Sequence, residues 1–434
     1  MIERSSRRLQ MVLRASGRRG SFTRNVTSTF AVQIVALIVT IVNSAIIARV
    51  LGPDGKGILA LVLLTPNILA LLLSGGIGVA NIYYAGRGRL PVADLSSNSS
   101  LFAVAATLLG VLIIGLLYAA GWLETLLPGV PIWLVAVGLL GLPFSLLNGY
   151  YAAILQGLQR IPSINRVTLG QRLLTLLLTA LFLLVLALGI GGGLTAALLA
   201  SAAATVALAL LLIQQGGRLR PRWQSTVVRT TLAFGLRGYV GNVLQFFNYR
   251  LDLFLVNFFL GPAGAGIYTV SIAMAEMLWY LPNAVGFVIF PKAANTSQAE
   301  MNRFTPRVFR VTLALTAAGG VVLALLGKPL IEFIYSPAFA SAFGPLLALL
   351  PGVVLLGAAK VLTNEIAGRG YPHYNSITAG VALVLTVTFD LLLIPRWGVL
   401  GAAIASSIAY SVIFFLSIGF YRAVSRRAER QSRS

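Results

Sequence analysis

The sequence predicts an all-α, polytopic membrane protein with twelve transmembrane helices in two six-helix lobes and a central cavity between them. Three observations support this fold class. Hydrophobic residues make up 58% of the 434 and charged residues only 10%, whereas soluble domains are about 45–50% apolar and about 25% charged. The apolar residues form runs of about 20, the length that a helix needs to cross a bilayer. The runs also divide into two sets that share a repeated motif.

We place the boundaries of the spans from hydropathy and from the glycine, proline and charged residues that interrupt the apolar runs. Spans 1–6 are predicted at 26–48, 57–82, 99–121, 132–156, 165–188 and 191–213. Spans 7–12 are predicted at 235–259, 266–290, 307–327, 343–367, 374–394 and 398–421. The corresponding units are a basic N-terminus (1–25), an N-lobe (26–216), a linker (217–234), a C-lobe (235–421) and a basic tail (422–434). The first apolar run is too long for a cleaved signal peptide, so we interpret it as an uncleaved span.

Basic residues alternate between the two sides of the predicted membrane. The termini and the even-numbered connectors hold 25 of the 33 Lys and Arg residues, and the odd-numbered connectors hold four. Because cytoplasmic segments are enriched in Lys and Arg, both termini are predicted in the cytoplasm, in a plasma-membrane protein. The net charge of +22 therefore indicates topology and not a nucleic-acid partner. The chain has no Cys, which excludes disulfides, thiolate metal sites and a Cys nucleophile.

A motif that follows span 1 returns after span 7. Leu51-Gly-Pro-Asp-Gly-Lys-Gly-Ile58 and Leu260-Gly-Pro-Ala-Gly-Ala-Gly-Ile267 share six of eight residues at an offset of 209. Two further pairs of similar segments, near 157 and 368 and near 194 and 400, follow in the same order. Because each repeat has an even number of spans, both halves insert in one orientation. This predicts a pseudo-twofold axis along the membrane normal, a ligand cavity between the lobes and alternating access by rocking one lobe against the other.

Several segments resemble a known family. They are Ala48-Arg-Val-Leu-Gly-Pro-Asp-Gly-Lys-Gly-Ile58, Leu155-Gln-Gly-Leu-Gln-Arg160, Arg250-Leu-Asp-Leu-Phe-Leu-Val-Asn-Phe-Phe-Leu-Gly-Pro262, and Ala275-Glu-Met-Leu-Trp-Tyr-Leu-Pro-Asn-Ala-Val-Gly286 with Phe290-Pro-Lys292. They are similar to segments of the bacterial polysaccharide (oligosaccharide) flippases, in the multidrug/oligosaccharidyl-lipid/polysaccharide exporter superfamily. The resemblance covers nearly the whole chain.

The resemblance implies two six-helix lobes and movement of an undecaprenyl-pyrophosphate-linked sugar unit from the inner to the outer leaflet, for surface polysaccharide biosynthesis. The implied partners are the lipid-linked oligosaccharide, membrane lipid, and the polysaccharide polymerase and glycosyltransferases of the same process. No cofactor is expected. Coupling to H⁺, to Na⁺ or to the membrane potential stays open.

Polar residues inside the spans form the candidate site. A charge at the bilayer centre costs roughly 2.5–3.5 kcal/mol on insertion scales, so a charged residue that lies there is expected to have a function. Arg250 and Glu276 lie 11 and 10 residues from the two ends of the short connector between spans 7 and 8, so they are predicted at nearly one depth. Two interpretations fit: a structural ion pair, or a cavity arginine whose partner changes when the ligand arrives. Cations would meet pyrophosphate, whereas amides and hydroxyls would meet sugars.

Other candidates lie on spans 1, 7 and 10. Those expected to line the cavity are Gln33, Thr40 and Asn43 on span 1, Gln245, Asn248 and Asp252 on span 7, and Lys360 on span 10. For Lys360 the alternative is snorkelling to the membrane surface. Arg49, at the end of span 1, either meets the head group on release or anchors the interface. We interpret Asp390, near Arg396, and Glu365 with Arg369 as structural residues at span ends.

Three other classes of membrane protein are alternatives to the flippase. A cation-coupled multidrug exporter of the same superfamily has the same architecture but favours an acid-lined cavity, and here Arg250 and Lys360 oppose Asp252 and Glu276. A major-facilitator transporter would carry an acid in the second connector, which Tyr84-Ala-Gly-Arg-Gly-Arg89 lacks. A membrane glycosyltransferase, polymerase or ligase would expose a catalytic outer loop, and no metal-ligand, Walker A or Ser/His/Asp pattern is present. The protein is therefore predicted not to be an enzyme.

Overall fold

The structure, a computed structural model, describes the backbone of residues 2–431 and the side chains of residues 34–236 and 239–426. This part of the chain is helical, as predicted. The helices are α1 (Ile2–Leu73), α2 (Ile77–Gly86), α3 (Val92–Ala119), α4 (Trp122–Leu126), α5 (Ile132–Leu139), α6 (Gly141–Gly157), α7 (Ile161–Ala180), α8 (Gly189–Gln214), α9 (Ser225–Glu276), α10 (Tyr280–Asn295), α11 (Gln298–Ile334), α12 (Phe343–Gly368), α13 (His373–Trp397) and α14 (Val399–Gln431). A π-helical turn (Leu181–Val185) extends α7, and 3₁₀ turns precede α10 (Met277–Trp279) and α12 (Pro337–Ala342).

Ten helical segments within the described residues are long and apolar enough to cross a membrane. Two of them, Ile34–Leu73 with 40 residues and Tyr239–Asn295 with 57, far exceed the roughly 20 residues that a bilayer crossing requires. These two segments contain predicted spans 1 and 2 and predicted spans 7 and 8. The multi-pass helical prediction is confirmed.

Each of the two long segments is interrupted at the repeated motif. Gly52 has φ 66° and ψ −173° inside α1, and Gly261 has φ 72° and ψ −176° inside α9. An L-residue with a side chain rarely adopts this conformation, so glycine is required at the break. A proline follows each glycine, Pro53 and Pro262, where it can start a new helical segment because its φ is already suitable and its missing N–H is not needed.

The outward faces of the helices are apolar. Leu108 on α3 is 66% exposed and Leu325 on α11 is 74% exposed. Large apolar side chains exposed along whole helices are typical of a surface that contacts lipid. The largest apolar cluster of the interior lies deeper and joins residues from α1, α9 and α12, among them Leu61, Tyr268 and Leu346.

Among the described residues, close backbone contacts between the first half (26–216) and the second half (235–421) lie near both ends of the region between them. Near one end of α1's final segment, Gly57 lies against Pro262, and Gly266 lies against Pro53. Near the other end, Gly76 lies against Gly235. Nineteen residues of mostly helical chain separate Gly57 from Gly76, so the two contacts are roughly 25–30 Å apart at 1.5 Å per residue. The space that contains the candidate site lies between them.

Candidate functional site

Among the described residues, cavities A, B and C lie between the first and second halves. Cavity A, of about 500 Å³, is bordered by residues 64–79 and 145–150 of the first half and by residues 239–250 of the second. Cavity B, of about 250 Å³, lies between Ala60 and Leu64 of α1 and residues 250–276 of α9. Cavity C, of about 270 Å³, lies between residues 37–44 of α1 and residues 273–283 with Tyr335. Both halves therefore contribute to the wall of each cavity.

Arg250 and Glu276 stand where these cavities meet. Arg250 borders cavities A and B, and Glu276 borders cavities B and C. The two side chains form a bidentate ion pair, with Nη1 donating to Oε1 at 2.8 Å and Nη2 donating to Oε2 at 3.2 Å. Their side chains remain 33% and 26% exposed. The predicted juxtaposition is confirmed, and the arginine is paired while still reachable from the cavity.

Lys360 lies next to this pair, on the side of cavity C. Its ammonium group donates to Asn283 Oδ1 at 2.9 Å and lies 4.0 Å from the ring centroid of Trp279. Asn283 and Trp279 both border cavity C. The ring and the amide supply the contacts that a partly buried ammonium group needs. Lys360 therefore points towards the interior of the bundle and not towards the membrane surface.

The polar stripe on span 7 lies elsewhere than expected. Asn248 is 0% exposed and accepts a hydrogen bond from Thr386 Oγ1 at 3.0 Å. Asp252 is 1% exposed and accepts hydrogen bonds from Tyr268 at 2.6 Å and Ser406 at 3.2 Å. Both residues therefore lie in the packing of the second half and not on the cavity wall.

The prediction that Asn248 and Asp252 line the cavity was wrong because it chose the wrong face of α9. Asn248 and Asp252 share one face of α9 because they are four residues apart, but that face packs against α13 and α14. Gln245, the third member of the predicted stripe, is half-buried and hydrogen-bonds Tyr249.

Asp390 is a buried acid close to Asp252. It is 0% exposed, and both of its carboxylate oxygens lack a hydrogen-bond partner within the described residues. It lies within electrostatic range of Asp252. Its interpretation as a span-end residue beside Arg396 was wrong, since it lies seven residues before the end of α13 at Trp397. Two buried carboxyl groups thus interact electrostatically inside the second half.

The span 1 candidates are divided between cavity C and the surrounding packing. Thr40 borders cavity C and accepts a hydrogen bond from Arg172 Nη1 at 2.7 Å. Asn43 is half-buried, and its side-chain oxygen has no partner within the described residues. The side chain of Gln33 lies outside the described residues.

Arg49 joins α1 to the end of α11. Its Nε donates to the Ile334 carbonyl oxygen at 3.0 Å, and a second guanidinium nitrogen donates to the Phe333 carbonyl. Cationic side chains commonly satisfy the free carbonyls at helix C-termini. This contact fits the anchoring interpretation.

Several cavity residues were not predicted. Asn67, Ser145 and Asn242 border cavity A, and Ser145 donates to Asn67 Oδ1 at 2.9 Å. Asn67 precedes Glu276 by 209 residues, so the repeat offset itself was the signal that could have found it. Lys56, which the sequence placed in an outer connector, is 6% exposed and donates to Ser44 Oγ at 2.7 Å beside cavity C.

Comparison with known proteins gives the chain a family. A family model described as "polysaccharide biosynthesis protein" matches residues 46–343. The chain is 24% identical over 413 residues to the probable flippase AglR of Haloferax volcanii, covering 92% of this chain and 81% of AglR. It is 20% identical over 193 residues to the probable low-salt glycan biosynthesis flippase Agl15 of the same organism, covering 42% of this chain and 40% of Agl15. It is also 23% identical over 202 residues to the uncharacterized membrane protein MJ1068 of Methanocaldococcus jannaschii, covering 45% of this chain and 39% of MJ1068.

Solved structures share the fold. The inward closed conformation of the lipid II flippase MurJ superposes with a TM-score of 0.76 at 14% identity, over 93% of this chain and 90% of that one. The inward-facing conformation of a multidrug resistance MATE family transporter of the MOP superfamily superposes with a TM-score of 0.70 at 15% identity, over 91% and 96%.

Proposed function

The chain belongs to the polysaccharide biosynthesis protein family, and we propose that it is a lipid-linked oligosaccharide flippase. In this proposal it moves an undecaprenyl-pyrophosphate-linked sugar unit from the inner to the outer leaflet of the plasma membrane. Glycosyltransferases would supply the cargo and a polysaccharide polymerase would consume it. The observation that carries the proposal is the position of Arg250, paired yet accessible, where cavities A and B meet.

The chemistry of a guanidinium group suits this cargo. Its planar donor set matches phosphate oxygens in the same bidentate manner in which Arg250 now binds the Glu276 carboxylate. A pyrophosphate can therefore replace Glu276 without leaving Arg250 unpaired. Glu276 then loses its partner. The protein thus has two states, one with the Arg250–Glu276 ion pair and one without it, and binding of the cargo favours the second.

The wall of cavity A suits the sugar part of the cargo. Its polar lining includes Asn67, Ser145, Tyr239 and Asn242, and amide and hydroxyl groups are the usual donors and acceptors for neutral hydroxylated ligands. Asn67 and Ser145 come from the first half, and Tyr239 and Asn242 come from the second. A bound sugar would thus contact both halves, whereas the polyprenyl chain would remain in lipid.

We further propose twelve spans in two six-helix lobes with both termini cytoplasmic. The breaks at Gly52 and Gly261 divide Ile34–Leu73 and Tyr239–Asn295 into two spans each, which raises ten candidate segments to twelve. Reporter tags at the two ends of the chain test this arrangement. Labels that report opposite sides of the membrane would contradict it.

Ion coupling is assigned in this proposal to the buried pair of Asp252 and Asp390. Two buried carboxyl groups that interact electrostatically favour a bound proton or a small cation, because both cannot be ionised cheaply. Tyr268 and Ser406 supply further oxygen atoms beside Asp252. This site lies apart from cavities A, B and C, so an ion and the cargo could be bound at the same time.

The test is transport by the full-length protein in proteoliposomes with a fluorescent lipid-linked oligosaccharide. Loss of one charge-assisted hydrogen-bonding group costs about 1.5–3 kcal/mol, or roughly tenfold to a hundredfold in binding. We expect Arg250→Ala to lower transport by at least that factor, with partial recovery in Arg250→Lys. Arg303→Ala, an exposed arginine on α11, is the matched control. Normal flipping by Arg250→Ala would overturn the proposal, and efflux of cationic drugs in its place would favour the multidrug exporter.

A further inference from the structure

A second candidate binding site lies on the outside of the first half, next to the linker. A groove of about 330 Å³ runs between α3 and α6 and is lined by apolar residues that include Val104, Leu108, Leu147 and Pro143. Val104 is 50% exposed and Leu108 is 66% exposed. The groove is therefore open towards lipid and shaped to accept an apolar chain.

The linker closes one end of this groove. Leu219 and Pro221 line it, while Arg218, Arg220 and Arg222 alternate with them and are exposed. The groove thus ends at a segment that carries three exposed arginines. None of the three forms an ion pair with a described residue.

The linker is held firmly in place. Ser96 Oγ on α3 donates to the Arg218 carbonyl oxygen at 2.8 Å and accepts from the Arg218 N–H at 2.8 Å. At the other end of the segment, Gln224 donates to Asp94 at 3.0 Å. The backbone that carries the three arginines is therefore fixed beside the start of α3.

We propose that this groove and its three arginines bind an anionic phospholipid from the surrounding leaflet. The acyl chain would lie along Val104 and Leu108, and the phosphate would meet Arg218, Arg220 and Arg222. The groove lining from Ser100 to Leu108 extends about 12 Å along α3, which accommodates the upper part of an acyl chain. Basic residues at a membrane surface attract anionic lipid. The site is distinct from cavities A, B and C and needs no cargo.

The experiment measures lipid retention by the full-length protein. Delipidated protein is incubated with equal amounts of phosphatidylglycerol and phosphatidylcholine, and the retained lipids are quantified by mass spectrometry. We expect the wild type to enrich phosphatidylglycerol and the Arg218→Gln/Arg220→Gln/Arg222→Gln variant to lose up to roughly a hundredfold of this preference. The matched control is Arg303→Gln/Arg307→Gln/Arg310→Gln, which removes three exposed arginines of α11 that border none of the cavities described above.

Two further measurements distinguish lipid binding in the groove from non-specific electrostatic attraction of lipid to the protein surface. Val104→Trp fills the groove from its lipid side, and we expect it to lower retention of both lipids without altering the preference between them. Raising the salt concentration should weaken the wild-type preference, because exposed charges are screened. An equal loss in both triple variants, or an unchanged preference in the linker variant, would overturn the proposal.

Discussion

Gly57 and Gly266 make the same contact from opposite halves of the molecule. A Cβ atom on Gly57 would lie 1.9 Å from the carbonyl oxygen of Pro262, and a Cβ atom on Gly266 would lie 1.9 Å from the carbonyl oxygen of Pro53. Gly57 and Gly266 are 209 residues apart, as are Pro53 and Pro262. The repeat in the sequence thus coincides with a reciprocal backbone contact, which supports the proposed pseudo-twofold relation.

Enlarging either glycine should open this contact. We expect Gly57→Ala and Gly266→Ala to have the same effect, because each methyl group would overlap a carbonyl oxygen of the other half; overpacking of this kind costs about 1–3 kcal/mol. Spin labels on Asp54→Cys and Ala263→Cys, in a chain with no native Cys, should report a longer distance. Gly115→Ala is the control, because nothing lies within 4 Å of its added Cβ. Unequal effects of the two variants would argue against a reciprocal contact.

The contact between Gly76 and Gly235, at the other end of the region that contains cavities A, B and C, should open independently of the Gly57–Gly266 contact. A Cβ atom on Gly235 would lie 2.6 Å from the carbonyl oxygen of Gly76. We therefore expect Gly235→Ala to separate labels on Arg89→Cys and Arg229→Cys while the 54–263 distance stays unchanged or shortens, as alternating access requires. Simultaneous opening of both ends would contradict that mechanism.

The sequence predicted the elements that depend on local pattern. The repeated motif located Gly52 and Gly261, and helix length placed Arg250 opposite Glu276. It did not predict which face of α9 looks into the cavity, because that depends on where α13 and α14 pack. Asn248 and Asp252 were misplaced for this reason. Asp390 was missed because hydropathy places it near a span end, whereas only the packed structure reveals a carboxyl group without a partner.

Asp390→Asn should affect ion coupling of transport without lowering the thermal stability of the protein. The substitution removes a buried acid that has no partner within the described residues, so we expect the melting temperature not to fall. If Asp252 and Asp390 hold the coupling ion, the variant should lose the dependence of transport on a H⁺ or Na⁺ gradient. Asp54→Asn, at an exposed position, is the control. A gradient dependence equal to that of the wild type would remove Asp390 from the coupling site.

Glu365 and Arg369 should behave as a structural pair. Their side chains are 0% and 1% exposed and form a salt bridge one turn apart on α12, and Arg369 also donates to Asn302 at 2.8 Å. Glu365→Ala leaves a buried cation without its carboxylate and should cost about 3–5 kcal/mol of folding free energy. Glu365→Met/Arg369→Met should cost less, as judged by thermal unfolding in detergent. A double variant less stable than the single one would show that the pair is a net source of stability.

The glycine contacts at the two ends of the cavity also bear on the integrity of the bilayer. A plug made of long side chains leaves gaps through which a file of water molecules can carry protons. Main chain pressed against main chain leaves no such gap, and it cannot swing aside without moving a whole helix. In the proposed flippase, these contacts would let a bulky head group pass while the electrochemical gradient across the membrane is preserved.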